Sequence, residues 1–433
     1  MNKIRLMLHT ALAFGCTLGF LIACTGGTDS ETPVQPVTIA SLGANAVSVW
    51  DEIATNTINV APAASGTAAE KNPIYAVDLA TMHVAIYDAV SAIAATHKPY
   101  AITPTTTAAG ASMEAAASAA AYGVLNGLFP ARSSVYQGTY DARLAAIAEG
   151  DAKTRGVALG AEVARGILAL RANDGRDVLL APYVPGTAPG KFRGTNPVGR
   201  FNPYMKPFSL TSAAQFRAPG PPALTSAAYT ADFNESKAMA SVASTTRTAA
   251  QTENARFNTE PPPRFWPRNL RQFATTQQNL ADNARLMAMI YVTHADAGIA
   301  CFESKYFYEF WRPTSAITLA DTDGNADTLA DAAWAPVVAT PNHPEYPAAH
   351  SCGSTASMEA IRQFFRTSQV SFKFDSAVAD TVVHSFTSTE QLVSEMQAAR
   401  IHGGMHFRTS TVRGAELGSN VAKQVLANHF LPR

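Results

Sequence analysis

Cysteine is scarce in this chain, at four among 433 residues. Two of them, Cys16 and Cys24, fall in the N-terminal apolar stretch, which leaves Cys301 and Cys352 for the body. In an exported protein these two can pair, or they can remain buried free thiols, and sequence alone does not supply the geometry that decides. A surplus of either charge is also missing, with 33 basic residues against 33 acidic. That balance excludes the basic footprint of a nucleic-acid partner. Beyond the N-terminus no long charge-free apolar run occurs, so no membrane span is expected in the body. Strand signals are sparse throughout.

What is present begins with Lys3 and Arg5, followed by an apolar run ending in Leu21-Ile22-Ala23-Cys24. A short positive region, a greasy core and small residues at a cut site describe an export signal over residues 1–23. Leu-Ile-Ala-Cys resembles the bacterial lipobox, which makes Cys24 the expected lipidation site. Residues 24–46 then read as a polar, flexible tether. The expected location is the cell envelope, facing periplasm or exterior, with the membrane touched through the lipid anchor only. Without the first 23 residues, 31 bases stand against 33 acids, for a formal charge of −2.

The body reads as all-α, built as two packed helix bundles. From 47 to 180, Leu79, Met82, Ile86, Val90 and Ile93 recur at three or four residues, and Ala-rich stretches follow at 108–121 and 158–172. Residues 181–228 are rich in Pro and Gly and lack a sustained period. Their aromatics, such as Tyr183, Phe201 and Tyr204, predict an ordered crossover with buried rings. The second bundle is expected over 229–433, with helices at 229–253, from about 268 to 311, near 353–365 and near 412–430.

Three patches in this second half hold the chemistry. In the first, Lys305 and Arg312 are seven residues apart, so on one helix they differ by only about 20° and point the same way. Pro313 ends or kinks that helix. The pair reads either as an amphipathic helix with snorkelling cations or as a seat for an anion. In the second, Pro341-Asn342-His343-Pro344-Glu345-Tyr346-Pro347-Ala348-Ala349-His350 is a rigid approach to a helix N-terminus at about 353. Such an N-terminus offers free N–H groups to an anion, and His350 stands where an acid or base is useful. In the third, Arg400 and His406 are about 240° apart on a continuous helix. Gly403-Gly404 supplies the break that brings them together. Each patch alone also has an ordinary structural reading.

Their order and spacing, Lys-x6-Arg-Pro, then Pro-x-x-His, then Arg-x5-His, resemble the three-part signature of vanadium-dependent haloperoxidases and type 2 phosphatidic-acid phosphatases. The flanks Phe310-Trp311-Arg312-Pro313 and Glu345-Tyr346-Pro347 bring it closer to the haloperoxidase side. The resemblance is specific over about residues 285–410. It implies that Lys305, Arg312, Ala349 and Arg400 hold the oxygens of vanadate or phosphate. His406 would bind vanadium or attack phosphorus, and His350 would be the acid/base on the apical oxygen. His343 would stand where halide is handled, or else cap a turn. The implied partners are hydrogen peroxide, halide and a small organic acceptor.

The alternatives are an acid phosphatase acting through a phosphohistidine, and an inactive oxyanion-binding envelope lipoprotein. Two departures bear on them. Pro347-Ala348-Ala349-His350 replaces the usual Pro-Ser-Gly-His, and Ala348 removes a hydroxyl contact of about 1–3 kcal/mol. Ser410 stands where the family has an Asp. Asp321, Asp323, Asn325 and Asp327 alternate like a calcium loop, but Ala326 and Ala332 fall where that loop needs Gly and Glu. A polar turn is expected there, without calcium.

Overall fold

A computed structural model describes residues 37–38, 45–59, 73–275, 279–379 and 381–433. The expected signal, Cys24 and most of the expected tether lie outside the described residues. The described residues form one compact unit. Among the described residues thirteen α-helices carry it: α1 (Ala46–Asn59), α2 (Tyr75–Ala94), α3 (Met113–Leu128), α4 (Ser133–Ala145) and α5 (Asp151–Leu170) precede the crossover. After it come α6 (Ala227–Met239), α7 (Ala249–Phe257), α8 (Pro262–Leu270), α9 (Leu280–Tyr308) and α10 (Pro313–Thr318). The last three are α11 (Ala349–Phe365), α12 (Thr389–His402) and α13 (Arg408–Asn428).

The all-α expectation holds, with one addition. Val370–Asp375 and Val383–Phe386 form an antiparallel pair, and Val37–Thr38 joins the first of them in parallel. Val370, Phe372 and Phe374 are buried and alternate with Ser371, Lys373 and Asp375, a period of two that stabilises a half-covered strand. Two expected helices are divided. The one over 229–253 breaks between α6 and α7. The one over 268–311 breaks between α8 and α9 and ends at Tyr308. Pro262 opens α8, because a proline at the first helical position loses no needed hydrogen bond.

In the first half, α2, α3 and α5 pack together; in the second, α9, α11, α12 and α13 do. The small residues explain how close the helices come. A Cβ at Gly160 of α5 would lie 2.2 Å from the Ala116 carbonyl of α3, and one at Gly418 of α13 would lie 2.3 Å from the Cys352 carbonyl of α11. α2 packs against α9 and joins the halves. It is long and apolar enough to cross a membrane by length and composition, but it is mostly buried, as a core helix apolar on all sides must be.

The crossover is ordered by backbone capture rather than by its rings alone. Asp296 of α9 accepts hydrogen bonds from the N–H groups of Phe208, Ser209 and Leu210 at 2.6, 2.8 and 3.2 Å. Phe192, Met205, Phe208 and Leu210 are buried, whereas Phe201 and Tyr204, expected to be, are exposed. In the suspected calcium loop, Asp323 accepts from Asn325 N–H and Thr328 Oγ1, so its carboxylate closes the turn.

Cys301 of α9 and Cys352 of α11 form a disulfide across 51 residues. It ties the two helices that deliver the first two patches. Closing a loop of that length removes unfolded-state entropy worth about 2–4 kcal/mol. Cys301→Ala/Cys352→Ala should therefore lower the urea unfolding free energy by about that amount. A change below about 0.5 kcal/mol would show that the bond does not constrain the unfolded chain.

Candidate oxyanion site

Lys305 lies in the last turn of α9. The helix stops at Tyr308, Glu309 adopts a left-handed conformation (φ 50°), and Arg312 caps α10 in an extended one. The two cations are thus not on one helix, as their spacing implied. They meet because both grip the same extended segment. Lys305 Nζ donates to the Pro344 and Glu345 carbonyls at 3.0 and 2.9 Å, and Arg312 Nε donates to the His343 carbonyl at 2.9 Å.

That segment runs through a cis Tyr346–Pro347 bond into α11, which begins at Ala349, four residues earlier than expected. Ala348 is the N-cap and supplies no side-chain acceptor, while its own N–H donates to the Ser410 carbonyl. The intrahelical ladder starts with Cys352 N–H on the Ala348 carbonyl, so the amides of Ala349, His350 and Ser351 have no helical partner. Ala349 and His350 are half-buried and border a cavity of about 570 Å³.

The third patch arrives as the glycine pair predicted. α12 ends at His402, Gly404 takes φ 80°, and the N–H groups of Met405 and His406 both donate to the Arg400 carbonyl, at 3.1 and 3.2 Å. This reversal returns His406 towards Arg312, whose Nη1 lies 3.0 Å from His406 Nε2. A guanidinium only donates, so Nε2 is the acceptor and the neutral ring carries its proton on Nδ1. That proton points at Glu345 Oε1, 3.0 Å away, which also accepts from Phe407 N–H at 3.0 Å. Glu345 therefore fixes the tautomer and the ring plane, leaving the Nε2 lone pair beside the cations. Ser410 Oγ lies 3.5 Å from His406 Nδ1 and from the Glu345 carbonyl. His343 completes the group, with Nδ1 3.0 Å from Arg312 Nη2 and its ring 5.2 Å from that of Phe302.

Glu345 was legible only as flanking text. A carboxylate inside a proline-rich approach, five residues before His350, was the signal for it.

The charges do not balance. Lys305, Arg312 and Arg400 are buried, and among the described residues Glu345 is the one carboxylate that acts on the first two. Burial, then Arg312 and Arg400, hold the Lys305 ammonium well below its ordinary range. Burial lowers Arg312 to about 10, and burial with Arg312 lowers Arg400 to about 9. Burial, reinforced by these cations, keeps His343, His350 and His406 well below 6.5 and so neutral. Even Glu345 is pushed up to about 7 by burial, against the pull of Arg312 and Lys305. Arg400 donates to the Asn258 carbonyl at 3.1 Å, yet its buried Nε has no partner. Three crowded cations, an orphaned guanidinium N–H and free helix-start amides fit a polyvalent oxyanion, which would supply the missing negative charge and the acceptors.

The family described as the VCPO second helical-bundle domain matches residues 285–430. Vanadium chloroperoxidase of Curvularia inaequalis is 33% identical over 124 residues, 24% of this chain. The match spans 20% of that relative's length. Residues 285–430 are thus similar to the second helical-bundle domain of vanadium chloroperoxidase. A bacterial vanadium-dependent iodoperoxidase structure superposes with a TM-score of 0.71 at 22% identity, covering 90% of this chain and 96% of that one. Holo-type bacterial vanadium-dependent chloroperoxidase gives 0.63 at 15% identity, covering 88% and 97%. At those identities the structures establish the fold, and the vanadium-haloperoxidase fold accounts for both halves of the chain.

The crowding of these buried cations has a stability consequence. Arg400→Met removes a repelled charge and an unpaired N–H. In phosphate-free buffer it should raise the unfolding free energy by about 1–2 kcal/mol, as replacing buried charges with apolar groups often does. Urea titration checks this, and a loss of more than about 2 kcal/mol would mean that Arg400 is satisfied without an anion.

Proposed function

We propose that this chain is a vanadate-dependent haloperoxidase that oxidises halide with hydrogen peroxide. The observation that carries the reading is the cage itself: Lys305, Arg312 and Arg400 converge with His406 Nε2, whose lone pair is oriented by Glu345. Lys305, Arg312 and Arg400, with the Ala349 amide, would hold the oxygens of vanadate, and His406 Nε2 would be its ligand in place of accepting the hydrogen bond from Arg312. Bound there, vanadate supplies a Lewis-acid centre for activating peroxide.

The chain's own residues set the conditions for that chemistry. Three fixed cations bind an oxyanion without reorganising, which is where preorganised electrostatics contribute most. His350, neutral and half-buried at the start of α11, would take up or return a proton beside the bound oxyanion. His343 lies between the Arg312 guanidinium and the Phe302 ring, a cationic and apolar setting suited to a large, weakly hydrated halide. Ala348 removes one oxyanion contact. It also leaves no hydroxyl to cap α11, so the first-turn amides stay open to the ligand.

Location belongs to the same proposal. The Cys301–Cys352 disulfide supports an oxidising compartment, in keeping with export and a lipid at Cys24.

The test is turnover after removal of bound phosphate and metal. Bromination with peroxide should depend on added orthovanadate and fall at least about 100-fold in His406→Ala, since the vanadium ligand is lost. Phosphomonoester hydrolysis inhibited by vanadate, with no bromination, would replace this reading with the phosphatase one. Neither activity, with oxyanion binding retained, would leave a binding lipoprotein.

A further inference from the structure

Arg400 is held from two sides, by the helix that carries it and by the one beside it. It lies in the last turn of α12, and its Nη1 donates to the carbonyl of Asn258, the residue that caps α7. A hydrogen-bonded relay runs back from there. Asn258 Nδ2 donates to Asn254 Oδ1 at 2.7 Å, and Asn254 Nδ2 donates to the Glu395 carbonyl of α12 at 3.1 Å. The Arg400 carbonyl in turn receives the Met405 and His406 amides, so the seat of α12 also decides where His406 is delivered.

At the far end of the relay a histidine stands between two carboxylates. His384, on the strand Val383–Phe386, bonds Glu395 of α12 through Nδ1 and Glu253 of α7 through Nε2, the latter at 3.1 Å. Its ring stacks on Phe257 of α7, with centroids 3.8 Å and planes 6° apart. A neutral imidazole has one N–H, and an ionised carboxylate only accepts. Both contacts are therefore made by the imidazolium, and loss of its proton sets a ring lone pair against one carboxylate. Burial pulls the pKa of His384 down, but Glu395 and Glu253 outweigh it and raise it above 6.5. Other nearby charges point elsewhere. Lys373 and Asp375 alternate away from Phe374, the residue opposite His384, and Arg256 of α7 and Glu390 of α12 are exposed.

We infer that His384 is a positioning residue for the cage: its protonated ring clasps α7 to α12, and the relay through Asn254 and Asn258 carries that clasp to Arg400. The inference rests on the oxyanion reading of the cage and not on halide oxidation. The clasp is complete below pH 6.5 and is lost as pH rises through the raised pKa. Oxyanion affinity therefore has a component that fades over the same range.

Calorimetric titration of inorganic phosphate into the full chain and its variants tests this. Glu345 and phosphate itself titrate nearby, so the readout is the ratio of affinities between two chains at one pH, in which both cancel. The unaltered chain should bind about 5-fold more tightly than His384→Gln at about pH 6, and equally at about pH 9. His384→Arg keeps a permanent charge that can stack on Phe257, so it should match the unaltered chain at about pH 6 and exceed it at about pH 9. Asn254→Ala, which cuts the relay, should weaken binding as His384→Gln does, and the double variant no further than either alone. A ratio that does not change with pH, or losses that add, overturns the inference. Should His384→Gln not fold, the His384→Arg and Asn254→Ala comparisons decide. Phosphate bound equally by every chain sinks this inference alone, whereas phosphate bound by none sinks the oxyanion reading on which it stands.

Discussion

The hydrogen bond from His406 Nδ1 to Glu345 Oε1 is the contact on which the site's geometry depends. Glu345 is buried, and its backbone and side chain reach Lys305 and His406. Its N–H donates to the Phe310 carbonyl and its carbonyl receives Lys305 Nζ, while its carboxylate receives His406 and Phe407. One residue thereby ties the end of α9, the approach to α11 and the start of α13. It also sets the limit on charge compensation. Among the described residues one carboxylate stands against three cations, and a bound oxyanion would restore the balance.

Such a site stores unfavourable electrostatics, and the surrounding packing must hold it. α9 is central to this. It packs against α2, α11 and α13, bonds covalently to α11 through Cys301, and orders the crossover through Asp296. Gly414 and Gly418 let α13 lie against the entrance of α11, where an added Cβ would meet the Ala348 and Cys352 carbonyls. A chain that needed less rigidity around its cations would not need contacts this close.

Much of this was legible in the residues. The three patches converge as their order implied, and Gly403-Gly404 makes the predicted turn. The cause was misread for Lys305 and Arg312, because a seven-residue spacing looks the same on a helix as across a break at Glu309. Glu345 was hidden because a single carboxylate has no period, and its value lies in partners 35 and 61 positions away, Phe310 and His406. The hairpin at 370–386 was visible in the alternation of Val370, Phe372 and Phe374 but was outweighed by the helical pattern around it. Phe201 and Tyr204 show the converse: aromatic character does not by itself dictate burial.

The central claim is that the cage is electrostatically incomplete without a polyvalent oxyanion. The most direct measurement is calorimetric titration of orthovanadate into the phosphate-free chain, repeated with saturating phosphate present. The account predicts one tight site, with vanadate and phosphate competing for it. Absence of binding at millimolar orthovanadate, or binding indifferent to phosphate, would contradict it.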